Sequence, residues 1–88
     1  MEREEFLGIL AQEGFAEVVT VTREPNGKLD VHEHPFEAKA LIVEGELTLR
    51  VGETDRLYQV GDVFYLPAQV AHSERYGPGG VQYLVGRK

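Results

Sequence analysis

The chain has 88 residues, no cysteine, a net charge of −6 and an isoelectric point near 4.9. That length is one domain with a small core, and the missing thiols exclude disulfides and thiolate metal sites. The acidic balance disfavours binding to phosphate backbones, so no nucleic-acid partner is expected. No apolar run approaches the ~18–20 residues of a membrane span. The opening MEREEF lacks the apolar core of a signal peptide, so the default location is the cytoplasm.

The segment EREEFLGILAQEG places Phe6, Leu7, Leu10 and Ala11 on one helical stripe. Glu2, Glu4 and Glu5 lie in its first turn, where they complement the helix dipole, and Gly14 is a plausible stop. From Phe15 the chain turns strand-like. FAEVVTVTR is β-branched and is followed by the turn signal Pro25-Asn26-Gly27. Then come LDVHEH, AKALIV, ELTLRV, DRLYQV, DVFYLP, AHSERY and VQYLVG, separated by glycine- and proline-bearing turns. Glu44-Gly45-Glu46 reads as a tight hairpin with positive φ at Gly45. Short strands at this spacing predict a sandwich or barrel. The chain divides into a helix at 1–14 and a β-barrel at 15–88, within one domain. The expected core draws on Phe15, Val19, Val21, Leu41, Val43, Leu47, Leu49, Leu57, Val60, Phe64, Leu66, Val70, Leu84 and Val85.

The chemistry concentrates in three histidines, the only ones in the chain: His32, His34 and His72. Residues two apart on a strand point to the same face, so His32 and His34 project together. Neutral imidazole is the commonest protein ligand for Zn, Fe, Ni, Mn and Cu. An H-x-H pair alone is equally compatible with a polar sheet face.

The wider spacing resembles the cupin superfamily, specifically its small single-domain members. Their first motif runs G-x5-H-x-H-x3,4-E-x6-G. Here it is met by Gly27, one residue closer to the first histidine than the motif has it, then His32, His34 and Gly45. Their second motif, G-x5-P-x-G-x2-H-x3-N, is met by Gly61, Pro67 and His72. The resemblance implies an all-β cupin barrel, a jelly-roll-like double-stranded β-helix with one short N-terminal helix. It also implies a homodimer, which would enlarge the small core and cover edge strands.

Two departures bear on the chemistry. The family's glutamate ligand falls on Ala38, and its final asparagine on Tyr76. Glu37 lies beside Ala38, but an offset of one residue turns a strand side chain to the other face. Glu37 is a candidate ligand only if the Pro35-Phe36 segment bends. The expected metal ligands are therefore His32, His34 and His72, holding a divalent ion such as Zn, Fe, Ni or Cu. Mn should be held less firmly without a carboxylate. Ala38, Ala40, Gln69 and Tyr76 are the expected pocket residues, with room beside the metal for an anionic or chelating small molecule. Glu74 and Arg75 flank His72 and read first as a rim salt bridge, or else as groups orienting an imidazole.

Three functions of different classes follow. The first is a metal-binding cupin acting on a small molecule. If it is an enzyme, the resemblance implies a dioxygenase or isomerase type. The second is a sensor or binding module without catalysis, which would need a separate partner. The third is a metal-free scaffold with a hydrated pocket.

Overall fold

The structure, a computed structural model, describes all 88 residues. Helix α1 covers Arg3–Gln12. Six strands follow: β1 (Glu17–Arg23), β2 (Lys28–His32), β3 (Ala38–Val51), β4 (Thr54–Gln59), β5 (Val63–Leu66) and β6 (His72–Arg87). All ladders are antiparallel. This is the expected all-β cupin architecture with one short helix.

Strands β3 and β6 organise the whole molecule. The first half of β3 pairs with the last part of β6, Ala38 opposite Arg87 and Ile42 opposite Tyr83. The second half of β3 pairs with the start of β6, Leu47 opposite Tyr76 and Arg50 opposite Ser73. Between them the register shifts twice, around Ile42–Glu44 and Gly45–Leu47. Strands β1 and β5 extend the first half, and β2 and β4 extend the second. The result is two sheets that share two bent strands.

The bend depends on two glycines that face each other. Gly45 has φ +71° and Gly80 has φ +74°. A Cβ on Gly45 would collide with the Gly80 carbonyl oxygen, and one on Gly80 would lie 2.6 Å from the Arg23 carbonyl oxygen. The expected positive φ at Gly45 is present, but the expected hairpin is not. AKALIV and ELTLRV form one continuous strand, as do AHSERY and VQYLVG. The strands kink there without ending: Gly45 pairs with Val81 and Leu47 with Tyr76, so pairing resumes on either side of a bulge at residues 77–80.

Side-chain parity divides the apolar residues into two clusters. Ala40, Ile42, Tyr83 and Val85 point between the sheets, with Leu47, Leu49, Tyr58, Phe64, Leu66 and Tyr76. Leu41 and Leu84 point outward and are covered by Phe6 and Leu10 of α1 and by Phe15. The helix ends in a Schellman arrangement. The Phe15 amide donates to the Leu10 carbonyl, and the Gly14 amide to the Ala11 carbonyl, with Gly14 at φ +85°. That closure delivers Phe15 onto Leu10 in the same cluster.

Two expected core residues are exposed, Leu57 at 48% and Val60 at 63%. On β4 the inward place belongs to Tyr58, which sits opposite the buried Leu47, so its neighbour Leu57 faces out. No helix is long and apolar enough to cross a membrane.

Candidate metal centre

Strand β2 ends at His32, and β6 begins at His72. The two residues are direct partners in the β2–β6 ladder. His34 follows on the loop after β2. Its carbonyl accepts the Gln69 amide at 2.7 Å, which ties this loop to the turn that leads into His72. One ring nitrogen from each histidine lies within 4.8 Å of the others. The ring centroids are 4.2 to 5.1 Å apart. His72 is 3% exposed, while His32 and His34 are half-buried.

Backbone carbonyls set the tautomers of two rings. His32 Nδ1 lies 2.6 Å from the Asp30 carbonyl oxygen, and His72 Nδ1 lies 2.9 Å from that of Val70. A carbonyl only accepts, so each Nδ1 carries the proton and donates it. In the neutral ring Nε2 is then a lone pair. His32 Nε2 is buried without a hydrogen-bond partner.

Glu74 lies within the same cavity. It is two residues beyond His72 on β6, shares its face and is 6% exposed. Its Oε2 is 3.7 Å from His72 Nε2 and 3.9 Å from His32 Nε2. Its Oε1 accepts from the Tyr76 hydroxyl at 3.4 Å. Acceptors thus face acceptors, an arrangement that costs ~1–3 kcal/mol for each group left unsatisfied. A divalent cation among the three imidazoles would take up their free ring nitrogens, so the histidine donor set fits a metal.

The surrounding charges act in the same direction. Burial, with His72, His32 and Arg87 nearby, lowers the pKa of His34, which favours the neutral ring a metal requires. Burial and the Glu74 carboxylate push the Tyr76 phenol up to about 12 and raise that of Tyr83 as well. Arg23 works against both shifts. The two tyrosines stay protonated and can donate. Arg23 and Arg87 line the cavity with the histidines, and Phe36 stacks on His34 at 4.9 Å.

The remaining candidates take different places. Ala38 lines the cavity, whereas Ala40 is fully buried in the core behind it. Tyr76 reaches the site through Glu74. Gln69 does not line the cavity. It holds a turn at φ +62°, and its backbone does the work. Glu37 points away from the histidines. Its Oε1 accepts from the Tyr65 hydroxyl at 2.6 Å, in a separate surface depression with Lys39 and Lys88. The Pro35-Phe36 segment thus does not turn Glu37 inward, as strand parity anticipates. Arg75 pairs with Asp55 at the rim, but Glu74 does not belong there.

Residues 19–79 match the model of the cupin domain family. Two curated relatives are 3-hydroxyanthranilate 3,4-dioxygenases, from Shewanella woodyi at 32% identity and Ruegeria pomeroyi at 37%, each over 76 residues. These matches cover 81% of this chain but 40% and 42% of those enzymes. The chain thus spans about two-fifths of the length of the curated relatives it matches. An RmlC-like cupin from Shewanella frigidimarina superposes with a TM-score of 0.69 at 24% identity, over 80% of this chain and 63% of that one. That likeness concerns the fold.

Proposed function

Because this chain belongs to the cupin domain family, we propose that it holds a divalent metal on His32, His34 and His72 and presents it to a small anionic molecule. The observation that carries this reading is the convergence of three imidazoles, two with Nδ1 committed to backbone carbonyls, around a buried Nε2 that has no other partner. Zn, Fe, Ni and Cu all suit imidazole. When bound, such an ion acts as a Lewis acid and orients a substrate. The chain's own part is to fix the ring nitrogens, keep the phenols of Tyr76 and Tyr83 protonated and supply two guanidiniums.

Arg23 and Arg87 line the same cavity, and guanidinium forks suit carboxylates. They support an anionic ligand that reaches the metal through oxygen. The name of the curated relatives supports a dioxygenase-type reaction on an aromatic hydroxy acid over an isomerase-type one. The first test is the metal content of protein purified without a histidine tag or added metal, beside His34→Ala. About one equivalent in the wild type, lost in the variant, is expected. A wild type that neither carries metal nor takes it up from Zn, Fe, Ni or Cu overturns the reading. Loaded protein is then assayed for oxygen consumption with 3-hydroxyanthranilate.

The proposal includes a homodimer. Val18 on β1, at one end of the sheet order, and Val31 on β2 are both exposed, which supports a covered edge. Light scattering at the mass of one chain would remove this part of the proposal.

A further inference from the structure

We propose that Glu74 is a fourth protein ligand to the metal, a carboxylate supplied by β6. This inference rests on the metal-binding reading above.

The sequence shows a centre without a carboxylate, because Ala38 and Glu37 both fail to provide one. The structure brings one in from elsewhere. Glu74 is two residues from His72 on the same face of β6, so the strand that delivers one ligand delivers both. The carboxylate is buried, and no lysine or arginine lies within ion-pair distance of it. Its only such neighbours are His32 and His72. One oxygen, Oε1, is held by the Tyr76 hydroxyl, which leaves Oε2 facing both Nε2 atoms. Ligand bonds of ~2.1 Å place neighbouring ligand atoms about 3.0–3.4 Å apart. The observed 3.7 and 3.9 Å exceed that spacing by about 0.3–0.9 Å, a gap that a small rotation of the Glu74 side chain closes. Ala38, lining the same cavity, leaves the space open.

A carboxylate changes which metals the site prefers. Three neutral imidazoles leave the full charge of a divalent ion uncompensated. Adding Glu74 halves that charge and adds a hard oxygen donor, which favours Mn and Fe(II) more than it favours Zn. The expectation that Mn is held weakly is thereby reversed.

The test compares Mn(II) and Zn(II) affinities of chelator-stripped full-length protein, wild type beside Glu74→Gln and Tyr76→Phe, with circular dichroism as a check on folding. The proposal predicts that Glu74→Gln loses at least 100-fold in Mn(II) affinity and at least tenfold less in Zn(II) affinity. Tyr76→Phe, which keeps the carboxylate, changes both by less than tenfold. Equal losses for the two metals would make Glu74 a positioning residue and overturn the proposal. Unchanged affinities would overturn it too, while leaving the three-histidine reading intact. A wild type that binds neither metal overturns the proposal, and one that also takes up no Fe, Ni or Cu removes the three-histidine reading with it. If Glu74→Gln does not fold, the same selectivity split is read on Glu74→Asp, whose carboxylate falls one methylene short.

Discussion

His32 and His72 face each other across the β2–β6 ladder, and each donates its Nδ1 proton to a carbonyl two residues earlier in its own chain. The two rings are therefore oriented by the backbone before any ion arrives. Such preorganisation limits the ordering cost of binding. Metal should consequently act as a large stabiliser of the fold. At a free concentration 100 times its Kd, it adds about 2.7 kcal/mol. That amounts to roughly 10–20 °C in Tm for a domain of this size. His32→Ala should abolish the increment. An equal rise in Tm for that variant would show that metal binds elsewhere.

Stability without metal should depend on pH through His34. Its pKa in the fold is lowered from the ordinary value of 6.5 by burial and by nearby positive groups. Between the two values the unfolded chain binds more protons than the folded one, so stability rises with pH up to about 6.5 and this contribution then levels off. Melting curves of chelator-stripped protein from about pH 5 to 7.5 would show the slope. His34→Gln should flatten it. An unchanged slope in that variant would assign the effect to other groups.

Gln69 holds a left-handed backbone, φ +62°, in the turn before His72. That conformation costs a non-glycine residue ~1–2 kcal/mol, and glycine recovers most of it while adding ~0.4–1 kcal/mol of unfolded-state entropy. Gln69→Gly should therefore raise stability by about 0.5–1 kcal/mol and leave metal affinity unaltered. A loss of affinity would mean that the side chain matters to the site after all.

Gly80→Ala should be severely destabilising. The added methyl meets the Arg23 carbonyl at 2.6 Å, with strain from φ +74° in addition. Backbone cannot yield as a side-chain tip does, so the expected cost exceeds ~3 kcal/mol. Gly79→Ala is the control, since nothing lies within 4 Å of its added carbon. Equal stability of the two variants in denaturant would contradict the role given to the bend.

The three histidines were legible in the sequence because strand periodicity alone puts His32 and His34 on one face, and motif spacing adds His72. Glu74 lies two residues past His72 and so on its face of β6, yet a charged residue near a strand end reads first as a rim ion pair. Burial decides between those readings, and burial depends on what β2 places opposite. The corner at Gly45 reads as a hairpin for a similar reason. A glycine pair marks a change of direction, but only the partner strand determines whether pairing stops or continues through it. Leu57 and Tyr58 show the limit of parity when both neighbours are apolar. Hydrophobicity cannot choose between them, and the register against Leu47 does.

Strands β3 and β6 each run through both sheets, so neither sheet can open without breaking pairing in the other. Partial unfolding is thereby discouraged, and the domain should lose its structure in a single cooperative event. Amide hydrogens along β3 and along His72–Tyr76 should then exchange at rates set by global unfolding. An ion and ligand held as proposed would come and go through the cavity mouth in the intact fold, and the timescale of that traffic would be decoupled from the lifetime of the native state.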